Sequence, residues 1–173
     1  IGRHHGRTPD PVTEITVVPG ATEAIFCAIM ASVHPGEEVI LFDPAYDSYE
    51  PSVRMAGGRA LRIPLMPPDF RIDWQRVKEA ISPRTRLIVI NTPHNPTGVI
   101  YSRERLQELA ALLHRKSAEF GRPIFVLSDE PYRRIRFDGA AFTSPAEVYP
   151  WTLIDYSFAK VLLAPDLRLG YLA

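Results

Sequence analysis

The chain has 173 residues, 46% of them hydrophobic, and its 20 basic residues offset its 20 acidic ones to a formal charge of zero. This length and apolar content suit one globular core, and the balanced charge argues against a nucleic-acid or membrane surface held by bulk electrostatics. A single Cys27 cannot form an internal disulfide, the apolar stretch AIFCAIMASV is too short to span a bilayer, and no charged leader precedes a cleavage site, so a reducing, cytoplasmic setting is expected.

Short apolar runs alternate with helical patterns along the chain. EITVV (14–18) reads as a strand and ATEAIFCAIMASV (21–33) as a helix, followed by the strand EEVILF (37–42), a mixed stretch YDSYEPSVRMA (46–56) and the strand GRALRIPL (58–65). The helix DWQRVKEAI (73–81), the strand RLIVINT (86–92), the long helix SRERLQELAALLHRKSAEF (102–120) and the strands PIFVLSD (123–129) and TLIDYSF (152–158) complete the series. Ser102 is the expected N-cap of the long helix, and Gly36 and Gly121 fall where helices should stop. Such alternation implies crossover units: an α/β fold of three layers, αβα, around a mostly parallel sheet. The 17 prolines gather at strand ends and turns. The chain opens on Ile1 and stops within the strand-like RLGYLA, so a piece of a longer protein is expected.

In sheets of this kind ligands sit beyond the carboxyl ends of the strands. After the first strand, PGATEA (19–24) turns directly into a helix, where the N–H groups of Ala21 and Thr22 and the Thr22 hydroxyl would face an anion; Thr22 as a plain helix cap is the alternative. NTPHNPTG (91–98) builds a turn from which the Asn95 amide can project, and His94 beside it, without a second metal ligand at suitable spacing, reads as loop. In PIFVLSDEPY, Asp129 ends a buried strand and needs a partner or else caps a helix beginning at Glu130 and Pro131; Tyr132 brings a phenol to the same region. The arginines of PYRRIRF, Arg133, Arg134 and Arg136, read as a solvated face. In SFAKVLLAPDLRLGY (157–171), Ser157 and Arg168 suit a phosphate, and Lys160 stands among Phe158, Ala159, Val161, Leu162 and Leu163. Either it snorkels to water, or it is desolvated and becomes nucleophilic toward aldehydes. Phosphate ligands, a carboxylate, an amide, a phenol and such a lysine together suit pyridoxal 5′-phosphate. No metal site is expected.

With PGATEA, DPAYDSY, NTPHNPTG, SDEPY and SFAK followed by RLGY in this order, the chain from about Ile15 to Tyr171 resembles the class I/II aminotransferases of fold type I. The FDPAYDSY, PPDFRIDW and NTPHNPTG stretches look closest to the methionine, kynurenine and glutamine transaminase branch. The resemblance implies that residues 15–173 are a pyridoxal-phosphate-binding large domain, cut before a C-terminal small domain, and that 1–14 are the tail of a preceding segment. It further implies that Lys160 carries the cofactor as an aldimine and later moves a proton, with Asp129 and Tyr132 as its catalytic companions. Asp129 would pair with the pyridinium nitrogen, Asn95 and Tyr132 would donate to the ring's phenolic oxygen, and Tyr46 would stack on the ring, unless it is only a core aromatic. Gly20, Ala21, Thr22, Ser157 and Arg168 would hold the phosphate. Asp166 stands where the family often has glycine, which bears on the turn before Arg168. The implied activity moves an amino group from an L-amino acid to a 2-oxo acid, in a protein that is a homodimer when full length; the present segment alone is expected to be inactive. A C–S lyase of the same fold and a non-catalytic cofactor-binding regulatory domain are the alternatives.

Overall fold

The computed structural model describes His5 and residues 8–173; residues 1–4, 6 and 7, part of the stretch 1–14 read as a tail, lie outside the described residues. In chain order the elements are β1 (Thr16–Val18), α1 (Ala21–Ser32), β2 (Glu38–Asp43), α2 (Tyr49–Met55), β3 (Arg59–Pro64) and α3 (Trp74–Ala80). They continue with β4 (Thr85–Asn91), α4 (Arg103–Phe120), β5 (Phe125–Asp129), a short 3-10 helix (Pro145–Glu147), β6 (Thr152–Ser157) and β7 (Gly170–Leu172). The mixed stretch 46–56 resolves into α2, and RLGYLA supplies β7.

The strands among the described residues form one seven-stranded sheet of order β1-β7-β6-β5-β4-β2-β3. Neighbours from β3 to β6 run parallel, while β7 is antiparallel to both β6 and β1. Because side chains alternate across a strand, β2 and β4 can be apolar throughout and feed two cores. Val39, Leu41, Leu87 and Val89 pack with Ile25, Ile29 and Val53 of α1 and α2 on one face. On the other, Ile40, Ile88 and Ile90 pack with Val77 of α3 and Leu106, Leu109 and Leu113 of α4. Helices therefore cover both faces, as the alternating pattern predicts.

The helix ends follow local chemistry, with one correction. Ser102 Oγ accepts from the Arg105 N–H at 3.4 Å, and Gly121 closes α4 in the left-handed conformation at φ 66°. Gly36 does not stop a helix: α1 ends at Ser32, where Val33 is already extended, and Gly36 lies in the turn that precedes β2. No helix among the described residues is long and apolar enough to cross a membrane.

This topology gathers the ends of the motifs at one edge. β4 ends at Asn91, β5 at Asp129 and β6 at Ser157, in parallel. The register places Ser157 and Val18 on either side of Gly170, so the β1–α1 turn and the segment entering β7 arrive at the same place.

Candidate active site

At that edge one cleft is lined by Ala21, Thr22, Tyr46, Asn95, Asp129, Tyr132, Ser157, Lys160 and Arg168. Gly20 lies beneath Arg168. The residues singled out in the sequence, spread over about 150 positions, thus converge on one concavity.

Asp129 forms the floor. It is buried at the end of β5 and its Oδ2 accepts from the Tyr49 hydroxyl and, at 3.2 Å, from Asn91 Nδ2. The same Asn91 amide donates to the Asp129 carbonyl at 3.0 Å, and its Oδ1 accepts from the Asn95 N–H at 2.6 Å, which ties the NTPHNPTG turn to the floor. Asp129 Oδ1 meets no protein donor. Burial raises the proton affinity of Asp129, while the neighbouring Asp155, the hydrogen bond from Tyr49 and the charge of Lys160 oppose that rise. No helix starts at Glu130: residues 131–134 form turns, so Asp129 is not a cap. Glu130 points away from the cleft edge into its own buried network with Ser128, Ser144 and Arg133.

The opposite end suits an anion. α1 begins at Ala21, with Gly20 as N-cap and no side-chain cap, so Thr22 does not cap the helix and the N–H groups of its first turn remain available. Thr22 Oγ1 lies 3.4 Å from the Tyr46 hydroxyl. The Arg168 guanidinium crosses this turn, with Nη2 3.2 Å from the Pro19 carbonyl. Gly20, at φ 89°, makes this approach possible, since a Cβ there would stand 2.7 Å from Arg168 Nη2. Ser157 is buried at the end of β6, its Oγ accepting from the Ala159 N–H at 3.3 Å.

Lys160 lies in the turn after β6, with Nζ 5.8 Å from the centroid of the half-buried Tyr132 ring. It is exposed, not desolvated: the turn lifts it to the mouth of the cleft, and Leu162 and Leu163 point to solvent instead of enclosing it. Tyr46 packs edge-on against Tyr49 at 5.7 Å between centroids and lines the cleft, so it is not sealed in the core. His94 bonds Thr97 within its loop at 2.8 Å. Arg133 departs from the expected solvated face. It is buried beside Glu130, with its guanidinium carbon 4.1 Å from the Tyr156 ring centroid, whereas Arg134 and Arg136 are exposed.

Three contributors were not legible in the motifs. Tyr49 and Asn91 hold Asp129, and Asp155 of β6 is buried next to it. Tyr49 stands inside DPAYDSY and Asn91 inside NTPHNPTG, so position within those stretches was the available signal; Asp155 gave none beyond being a lone acid in an apolar strand.

The whole chain, residues 1–173, matches the family model described as aminotransferase class I and II. It is 47% identical over 172 residues to the methionine aminotransferase of Escherichia coli, an alignment covering 98% of this chain and 43% of that protein. An aminotransferase structure from Eubacterium rectale superposes with a TM-score of 0.93 at 35% identity, over 99% of this chain and 43% of the other. The N-succinyldiaminopimelate aminotransferase of Mycobacterium tuberculosis gives 0.91 at 37% identity, over 99% and 44% respectively. The chain thus spans less than half the length of the relatives it matches. Cleft, sheet order and motifs agree with these matches: the chain belongs to the class I and II aminotransferases, with the α/β fold of fold type I.

Proposed function

We propose that this chain forms the pyridoxal 5′-phosphate-binding domain of an aminotransferase that moves an amino group from an L-amino acid to a 2-oxo acid. The observation that carries the reading is a single cleft with the Lys160 amine at its mouth, the Asp129 carboxylate on its floor and Arg168 over a helix N-terminus at one end. The residues fit the cofactor on two counts. Asp129 Oδ1 is a buried acceptor without a protein donor, as a ring N–H requires, and Gly20 leaves room for Arg168 where a phosphate would sit.

When bound, pyridoxal 5′-phosphate supplies an aldehyde that links to amines and a ring that withdraws electrons from the adjacent carbon. Lys160 Nζ would hold the aldehyde and, as a free amine, would remove and return a proton at the substrate Cα. Asp129 Oδ1 holds the proton of the ring nitrogen. Asn95 and Tyr132 would serve as donors to the ring's phenolic oxygen, and Tyr46 would supply an aromatic wall for the ring. Gly20, Ala21, Thr22, Ser157 and Arg168 hold the phosphate, the arginine through forked donors that a lysine lacks. The complete protein is read as a cytoplasmic homodimer. The unpaired Cys27 fits a reducing setting, and Leu162 and Leu163, 58% and 88% exposed beside the cleft, are apolar surface of the kind a second protein covers.

Borohydride reduction of the complete protein loaded with pyridoxal phosphate tests the reading. A phosphopyridoxyl group is expected on the peptide containing Lys160, together with amino transfer from a panel of methionine, glutamine and aromatic donors. Labelling confined to other lysines would overturn it.

A further inference from the structure

Among the described residues one buried acid, Asp155, has no N–H or O–H donor to satisfy it. In the parallel pairing of β5 and β6, Asp155 lies directly opposite Asp129, which sets both side chains on the same face of the sheet as neighbours. Asp155 is 0% exposed and Asp129 4%. Neither Asp155 oxygen receives a hydrogen bond from an N–H or O–H group. An ionised carboxylate only accepts, so two carboxyls in contact attract each other only if one carries a proton.

The surroundings decide which one carries it. Asp129 is served by the Tyr49 hydroxyl, the Asn91 amide and the charge of Lys160, all of which favour its ionised form. Asp155 has none of these and faces the negative charges of Asp129 and Glu130, while the phenol of Tyr49, on α2, keeps its proton beside both acids. Burial together with those charges drives Asp155 far toward its neutral form.

We propose that Asp155 is a carboxylic acid that donates a hydrogen bond to Asp129, so that the buried pair carries one negative charge and Asp129 stays ionised and oriented toward the cleft. Asp155 is then a positioning residue that acts through Asp129. A carboxylate on a dry floor would otherwise tend to neutralise itself, and a neutral acid holds a protonated ring nitrogen poorly. The shared proton stands on the two acids alone; its consequence for the cofactor rests on the reading of Asp129 given above.

Two variants of the complete protein test this: D155N, which keeps an N–H donor but cannot ionise, and D155L, which has no donor. Infrared spectra of the cofactor-free protein at neutral pH should show a protonated-acid carbonyl band that is lost in D155N. A band from Glu130, which has its own donors in Ser128, Ser144 and Arg133, would persist in that variant. If D155N loses no such band, Asp155 is ionised and the proposal is wrong. Binding of pyridoxal phosphate is then followed by absorbance against pH. In D155L the acid limb of binding should move up by about one to two pH units, the value of a hydrogen bond to a charged group, with tight binding recovered at higher pH, while D155N stays with the parent. Equal behaviour of the two variants would remove the positioning role. Failure of the parent protein to bind pyridoxal phosphate would count against the cofactor reading, and the infrared result would still decide the shared proton.

Discussion

The Tyr49 hydroxyl on α2 donates to Asp129 Oδ2 at the end of β5, joining residues 80 positions apart on the cleft floor. Tyr49 is buried, and burial, followed by the charge of Asp129, holds its phenol well above the usual range, which favours its role as donor. Tyr49→Phe removes that donor and keeps the ring. Loss of a hydrogen bond to a charged group should cost about 2 kcal/mol of stability. Urea denaturation of Tyr49→Phe, Asp129→Asn and the double variant should therefore show strong non-additivity; additive losses would mean that the contact contributes nothing.

Gly20 and Arg168 make a second pair. A methyl group at position 20 enters the space of the guanidinium, 2.7 Å from Nη2, on a backbone whose φ of 89° already disfavours side chains. Gly20→Ala and Arg168→Ala should each weaken binding of pyridoxal phosphate by about tenfold or more, the value of a charge-assisted contact. Arg168→Lys should rescue little, because a point charge lacks the fork. An unchanged dissociation constant in Gly20→Ala would show that the turn does not position the arginine.

Asp155 also sets a pH dependence of stability. Its folded-state proton affinity lies well above the ordinary carboxylate range, through burial and then the charge of Asp129. Below about pH 4 folded and unfolded chains both hold the proton; above it the unfolded chain releases it and the folded one does not. Stability therefore falls as pH rises, until the folded group also ionises. Asp155→Asn removes this contribution, so the variant should gain on the parent with rising pH, by up to about 1.4 kcal/mol per unit. Urea midpoints at pH 5 and pH 8 measure it, and parallel pH profiles would refute it. Glu130, shifted upward by burial, keeps its own share of the slope in either protein.

Leu113 is fully buried between α4 and the sheet, in the core that includes Ile88, Ile90 and Leu109. Leu113→Ala should cost about 3 kcal/mol, from lost burial plus the cavity left in a close-packed layer. The cleft lies at the strand ends, away from this core. Affinity for pyridoxal phosphate measured well below the unfolding transition should therefore be nearly unchanged; a parallel loss of affinity would show that this core controls the site.

Much of the molecule was determined by the sequence itself, because its signals are local. The apolar runs that form β2 and β4, the helical pattern of residues 102–120, and the caps at Ser102 and Gly121 depend only on neighbouring residues, and each appears where it was read. The motif residues were legible for a related reason: each stands at a strand end or turn, and the parallel topology delivers such ends to one edge. What the tertiary structure alone decided are relations between distant elements. The apolar run around Lys160 suggested a dry lysine, yet whether neighbouring side chains enclose an amine depends on the path of the turn, and here they face solvent. Arg133 looked like one of a solvated cluster until Glu130, Tyr156 and Tyr171 surrounded it. The pairing of Asp155 with Asp129 arises from the register of β5 against β6, and since hydrogen bonds across parallel strands are the same in every register, only the packing of both sheet faces could choose the one that sets two acids side by side.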